Sequence, residues 1–242
     1  MGKPHSRIKP PVSVIIPVLN EKDQIHRVLY HLSAVSAGMD CQVIIVDGSP
    51  HGSTIQVINN QEMHFPIKKV IAPRGRGIQM NAGAKEADGR ILVFLHADTF
   101  FEKGALQEIE SVIGSERGYV GGAFDLGIAS PKPIFRIIEK VASLRSRITR
   151  IPYGDQAFFA RADYFRKIGG FSEIPLMEDV DLLRRIKERR DRICFIPKKA
   201  WTSSRRWEQE GVVSCTLRNW TLQLLYLCGV APERLVMYYP KQ

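Results

Sequence analysis

Short apolar runs recur along the first half of the chain, each ending in a polar or glycine-rich cluster. Residues 12–16 are β-branched apart from Ser13 and closed by Pro17, and Asn20 is placed to cap a helix over 21–32 whose Ile25, Val28, Leu29 and Leu32 share one face. Residues 42–46 form a second run, ending in Asp47-Gly48-Ser49. Residues 67–71 form a third, leading through Pro73-Arg74-Gly75-Arg76-Gly77 into a helix over 78–87. A fourth, 91–95, meets His96-Ala97-Asp98 and then a helix over 104–113. Strands alternating with helices predict an α/β domain, its sheet mostly parallel and flanked by helices. The polar clusters after strands one, two and four fall at the carboxyl edge, where such sheets bind ligands.

The second half adds helical patterns. Residues 132–150 carry Ile134, Ile137, Ile138, Val141, Leu144 and Ile148 among basic residues, and 178–188 place Leu182, Leu183 and Ile186 behind Glu178-Asp179. Residues 212–227 are rich in Leu, Trp and Tyr but are interrupted by Arg218, Asn219 and Gln223. They are also shorter than the roughly 20 apolar residues a membrane span needs. They read as a C-terminal amphipathic helix packed on the core.

Charge divides the chain unevenly. Of the net +10, residues 1–120 hold 13 Lys and Arg against 12 Asp and Glu, while 121–242 hold 22 against 13. A basic second half points to an anionic partner, either a phosphorylated or carboxylated acceptor or an acidic membrane surface. Nucleic acid is not expected, because aromatic residues do not interleave with the basic runs. Residues 1–11 lack the apolar stretch of a signal peptide. Cys41, Cys194, Cys215 and Cys228 are scattered and read as buried free thiols of a reducing compartment. A cytoplasmic protein follows, peripheral at the inner membrane face if the basic half meets lipid. The sequence does not specify an oligomeric state.

Several residues suit chemistry on a nucleotide. Asp98 can hold a hard divalent cation, which in turn can hold a diphosphate. Asp47, at a strand end, can accept hydrogen bonds from a base or ribose. Arg74 and Arg76 can pair with phosphate oxygens, aided by the field of the helix that follows. Asn20 and Glu21 either present polar groups to the nucleoside or serve as a helix cap and first-turn acid. Asn81 either fixes its loop or touches the ribose. Glu178 and Asp179, adjacent acids at a predicted helix start, suit general-base work or serve as ordinary helix-start acids.

In order and spacing, these stretches resemble the nucleotide-sugar transferases of glycosyltransferase family 2, which have the GT-A fold. The resemblance covers residues 12–207 and rests on Ile16-Pro17-Val18-Leu19-Asn20-Glu21, Ile45-Val46-Asp47-Gly48, Arg74 to Gly83, and Leu95-His96-Ala97-Asp98. Gly121-Gly122-Ala123-Phe124, Gly154-Asp155-Gln156-Ala157, Ile168-Gly169-Gly170-Phe171 and Met177 to Leu182 complete it. It implies one GT-A domain, with a donor half at 12–120, an acceptor half at 121–207 and a helical extension at 208–242. Sugar would pass with inversion from a nucleoside-diphosphate sugar, UDP favoured, to an unidentified acceptor that is anionic or lipid-linked.

By that resemblance, Pro17, Asn20, Glu21, Asp47, Arg74, Arg76, Gln79, Asn81, His96, Asp98 and Arg206 face the donor. Asp98 would hold Mn²⁺ or Mg²⁺, and Asp179 would be the base with Glu178 beside it. Gly121, Gly122, Asp155, Gln156 and Trp207 would line the acceptor side. The chain departs from the family pattern in three places. Asp-x-Asp is reduced to His96-Ala97-Asp98, the paired acids after strand two to Asp47-Gly48, and no extra metal-binding His lies near Trp201–Trp207, where Ser203-Ser204-Arg205-Arg206-Trp207 resembles the family's Gln-x-x-Arg-Trp element with Ser203 in place of Gln. A nucleotidyltransferase, which wants a Gly-rich, Lys-bearing loop after strand one, and a transferase fold that binds nucleotide without turnover are the rival readings.

Overall fold

The computed structural model describes residues 11–59 and 63–239, so the leader reading of residues 1–11 lies outside them except for Pro11. The first half builds β1 (Val12–Val18), α1 (Lys22–Val35), β2 (Cys41–Asp47), β3 (Ile67–Ile71), α2 (Arg76–Glu86) and β4 (Ile91–Phe94). Next come β5 (Phe100–Phe101), α3 (Ala105–Gly114), β6 (Gly121–Ala129), α4 (Pro133–Thr149), β7 (Phe159–Arg161), α5 (Ala162–Lys167) and α6 (Glu178–Glu188). The chain continues through β8 (Ile193–Ser203), α7 (Arg205–Glu210), α8 (Val212–Leu227) and α9 (Pro232–Leu235).

The eight strands form one sheet in the order β3-β2-β1-β4-β7-β6-β8-β5. β3, β2, β1 and β4 are mutually parallel. β7 runs against both β4 and β6, and β5 runs against β8, so the parallel character is confined to the first half and to the β6–β8 pair. Both halves of the chain contribute to this sheet.

Period-two alternation sorts the core into two layers. Val12, Val14, Ile16, Val43, Ile45 and Val93 face Ile25 and Leu29 of α1 and Leu106 of α3. Ile15, Ile44, Val46, Leu92 and Phe94 face Met80 of α2, Phe165 of α5, Leu182 of α6 and Leu222 of α8. Helices on both faces leave the sheet's carboxyl edge open between them.

Two local expectations are corrected. Pro17 does not end β1, which runs on to Val18 with Pro17 opposite Val46 of β2. Leu95 N–H donates to Ile15 O, so odd positions of β1 turn their backbone groups toward β4. The N–H that Pro17 lacks would point past the end of β4. Asn20 does not cap α1. It adopts a left-handed φ of 57°, the helix begins after Glu21 without a side-chain cap, and Asn20 Oδ1 accepts from Ser53 Oγ at 3.1 Å.

Candidate active site

The edge beyond β1 and β2 is organised by one carboxylate. Asp47 is fully buried, with Oδ1 accepting from Ser49 N–H (2.9 Å) and Oδ2 from Thr54 N–H (2.7 Å) and Ile55 N–H (3.2 Å). Thr54 Oγ1 then accepts from Glu21 N–H at 3.0 Å, fastening the loop after β2 to the start of α1. Buried Gln79 donates from Nε2 to Val18 O (2.9 Å) and Val46 O (2.8 Å), tying the ends of the two strands together. Asp47 and Gln79 therefore shape the edge beyond β1 and β2, and their polar atoms are engaged with backbone.

Arg76 opens α2 at the positive end of the helix, immediately after Gly75, while Arg74 is exposed just outside it. Burial works against the Arg76 charge. Glu178, Tyr239, Asp179 and Asp155 outweigh it and raise the pKa. Its Nη1 lies 3.5 Å from Glu178 Oε1. One turn on, the Asn81 amide pairs with the Phe171 backbone, Nδ2 donating to O at 2.8 Å and Oδ1 accepting from N–H at 2.9 Å. Of the two readings of Asn81, the loop-fixing one matches these contacts.

Around Arg76 the structure gathers His96, Asp98, Asp155, Glu178 and Asp179. Asp179 Oδ2 accepts from Gly154 N–H and Oδ1 from Val180 N–H, both at 2.7 Å. A Cβ on Gly154 would sit 3.1 Å from His96 Nε2 and 3.2 Å from Asp179 Oδ2, so the missing side chain lets imidazole and carboxylate converge there. Burial, then the guanidiniums of Arg76 and Arg206, push His96 down to about 3, leaving a neutral imidazole at physiological pH. Asp155 is pushed up to about 6 by burial, with Asp179 and Asp98 adding to it against Arg145 and Arg76. Its enclosed Oδ1 has no hydrogen-bond partner. Glu178, only 3% exposed, is raised to about 7 by burial and Asp179 against Arg76. Glu21 is raised by burial and, against the opposing pull of Arg205, by Asp98. Asp181, by contrast, serves the fold, accepting from Ser172 Oγ (2.5 Å), Arg185 Nε (2.9 Å) and Tyr226 OH (3.0 Å).

The remaining residues named from sequence fall into two groups. Arg206 joins the cluster, donating to Tyr239 OH and lying 5.1 Å over its ring. Trp207 packs edge-on against Phe135 at 6.1 Å. Gln156 is fully buried, bonded to Phe124 O, Tyr153 N–H and Ser146 Oγ. Gly121 and Gly122 pair with Ala160 and Phe159 of β7, level with Leu92 and Val93 of β4, which is short of the edge. A Cβ on either would lie 2.4 Å from Phe159 O or 2.5 Å from Cys194 O. The structure thus brings these four residues into packing rather than into the carboxylate cluster.

Sequence reasoning missed Arg145, Tyr153 and Tyr239. Arg145 stacks 3.5 Å over the Tyr153 ring and donates to Gln223 Oε1 at 2.7 Å, and Tyr153 OH donates to the same oxygen at 2.6 Å. A usable signal was the run of small residues Ala142, Ser143 and Ser146 on the inward face of α4, beside half-buried Arg145. Left-handed φ values at Asn20, Ala157 and Met177 likewise mark three loops at this edge. A hollow of about 440 Å³ lined by Glu108, Arg117, Arg147 and Cys194 includes none of the clustered groups. Of the four free cysteines, Cys41 and Cys215 are buried, Cys194 partly so, and Cys228 is exposed, against the expectation of burial for all four.

Among the described residues, no three His, Cys, Asp or Glu side chains are placed to hold a metal ion. Ions of the Mg²⁺ type are often held by one or two carboxylates together with substrate phosphates. Asp98, with neutral His96 two residues before it and the unpartnered Asp155 Oδ1 in the same cluster, fits that smaller requirement.

The model of glycosyl transferase family 2 matches residues 13–171, from β1 to the Asn81–Phe171 clamp and short of Glu178, Asp179 and Arg206. The chain belongs to this family. Among curated relatives it is 27% identical over 223 residues to the probable glycosyltransferase YdaM of Bacillus subtilis, covering 83% of this chain and 51% of the relative. It is 26% identical over 89 residues to a dolichol-phosphate mannosyltransferase of Pyrococcus furiosus, covering 36% and 25%. The chain thus spans about half or less of the length of these relatives. Solved structures share the fold at 16% identity. Staphylococcus aureus TarS residues 1–349 with UDP-GlcNAc match at a TM-score of 0.60, covering 79% of this chain and 58% of that one. The mannosyltransferase PcManGT of Pyrobaculum calidifontis with GDP-Man and Mn²⁺ matches at 0.59, covering 81% and 57%. The chain shares the GT-A architecture of these structures.

Proposed function

We propose that the protein transfers a sugar with inversion from a UDP-sugar to the hydroxyl of an anionic or lipid-linked acceptor, assisted by Mn²⁺ or Mg²⁺, at the cytoplasmic face of a membrane. Residues 12–120 would form the donor half, 121–207 the acceptor half, and 208–242 a helical extension. The observation that carries this reading is the convergence of Asp179, His96 and Asp98 on Arg76 and Arg206 at the sheet's carboxyl edge. Asp179, oriented by two backbone N–H groups, takes the acceptor proton as the hydroxyl attacks the anomeric carbon. Arg76 and Arg206 take up charge on the departing diphosphate, and His96, kept neutral, adds a hydrogen bond without repelling them. A divalent ion held by Asp98 and the diphosphate would supply Lewis-acid stabilisation of the leaving group.

Structural neighbours support the donor class, since they include complexes with UDP-GlcNAc, UDP and GDP-Man. Asp179→Asn tests the base. The variant is expected to bind nucleotide within a few-fold of wild type while turnover of the bound donor falls about 10²–10⁴-fold. Equal loss of binding and turnover would remove Asp179 from that role.

A further inference from the structure

The outward faces of α4 and α8 are apolar. On α4, Ile134, Ile137, Val141, Leu144 and Ile148 are 41–72% exposed and follow one another at alternating steps of three and four, forming a single stripe. On α8, Val213, Leu217, Trp220, Leu224 and Leu227 follow the same steps and are 41–68% exposed. The two helices lie side by side. Val212 packs in the cluster of Phe135 and Ile138, and further along Arg145 Nη1 donates to Gln223 Oε1 at 2.7 Å. The inward face of α4 holds Phe135, Glu139, Ala142, Ser143 and Ser146, while the five residues of the stripe are turned to solvent. Scattered exposure does not account for two complete stripes.

Charge indicates what covers them. Residues 132–150 carry Lys132, Arg136, Lys140, Arg145, Arg147 and Arg150 against Glu139 alone. Glu139 is buried and paired with Arg136 and Lys199. Lys140 is exposed beside the stripe, whereas Arg147, also at the surface, is paired with Asp125 at 2.8 Å. A symmetric dimer through this face would set like charges against each other. An anionic bilayer accommodates both features, with apolar side chains entering the acyl boundary and the cations meeting phosphates. Exposed Trp220 and Tyr238 suit the headgroup level. No helix among the described residues is long and apolar enough to cross a membrane, so these helices would lie in its surface.

We propose that the face formed by α4 and α8 docks on an anionic phospholipid bilayer. Gln223 and Arg145 meet at Tyr153, next to the Gly154 that bonds Asp179, so docking would set the base close to the membrane surface. That consequence rests on the proposed transferase reading, but the docking itself does not.

The test is flotation of the full chain with phosphatidylcholine vesicles, with and without phosphatidylglycerol. Wild type is expected to float with the anionic vesicles, to stay behind with the neutral ones, and to be released by salt. Ile137→Glu combined with Leu144→Glu should abolish flotation without lowering the melting temperature, because both side chains are more than half exposed. Lys140→Glu should weaken binding about tenfold. Failure of wild type to float, or flotation unchanged in both variants, would overturn the proposal. So would a dimer in sedimentation that the double variant dissociates, which would assign the face to a second copy. None of these outcomes depends on activity, so failure here leaves the donor site to be judged by nucleotide titration.

Discussion

Asp155→Asn removes a carboxylate that the fold holds against its ionisation while keeping the size of the side chain. Asp155 rises from 3.8 to about 6 because burial, Asp179 and Asp98 outweigh Arg145 and Arg76. At 1.36 kcal/mol per pH unit that is about 3 kcal/mol, and partial exposure of the residue reduces it to about 2 kcal/mol. A raised carboxylate binds its proton more tightly in the folded state than in the unfolded one. Wild type is therefore unburdened below pH 3.8, loses stability as pH climbs toward 6, and carries the full cost above it. Asparagine has no such titration. The assay is calorimetric melting of both proteins from pH 4 to pH 8. Relative to wild type, the variant should gain about 2 kcal/mol, or roughly 4–8 °C in melting temperature, with the change concentrated below pH 7. A difference that stays constant with pH, or one that favours wild type as pH rises, would refute the account of this cluster.

Two further substitutions separate packing from chemistry. Asn81→Ala cuts both hydrogen bonds to Phe171 and should cost about 2 kcal/mol in urea denaturation; nucleotide affinity lost without that destabilisation would instead place Asn81 on the ribose. Gly121→Ala drives a methyl into Phe159 O and should destabilise by about 1–3 kcal/mol; a variant with unchanged melting but impaired transfer would put Gly121 in the acceptor site.

The first half of the fold was legible because its strands are continuous apolar runs. β2 is buried at every position, and the period-two sorting of β1 between two helical layers follows directly from its residues. Even β3, an edge strand with no fully buried position, kept enough β-branched character to be read. The second sheet half was not. β6 opens on two glycines and β8 carries Pro197, Lys198 and Lys199, with a register shift after Phe124, so neither presents a periodic run. For the site, acids at strand ends and helix starts were visible as types, but their partners were not. Asp47 and Asp98 look alike in sequence, yet one is buried under three backbone N–H groups and the other belongs to the open cluster. Arg145 and Tyr153 reach the site only because α4 and α8 meet at Gln223, a pairing that no local pattern encodes.

The central claim is a metal-assisted donor site in which Asp98 serves a bound diphosphate. Calorimetric titration with UDP, GDP, CDP and dTDP, each with and without Mn²⁺, on wild type and Asp98→Ala, tests it most directly. The account predicts no binding of Mn²⁺ alone, metal-dependent binding of UDP to wild type, and loss of that dependence in the variant. Nucleotide binding that ignores both Mn²⁺ and the substitution, or no binding of any nucleotide, would contradict it.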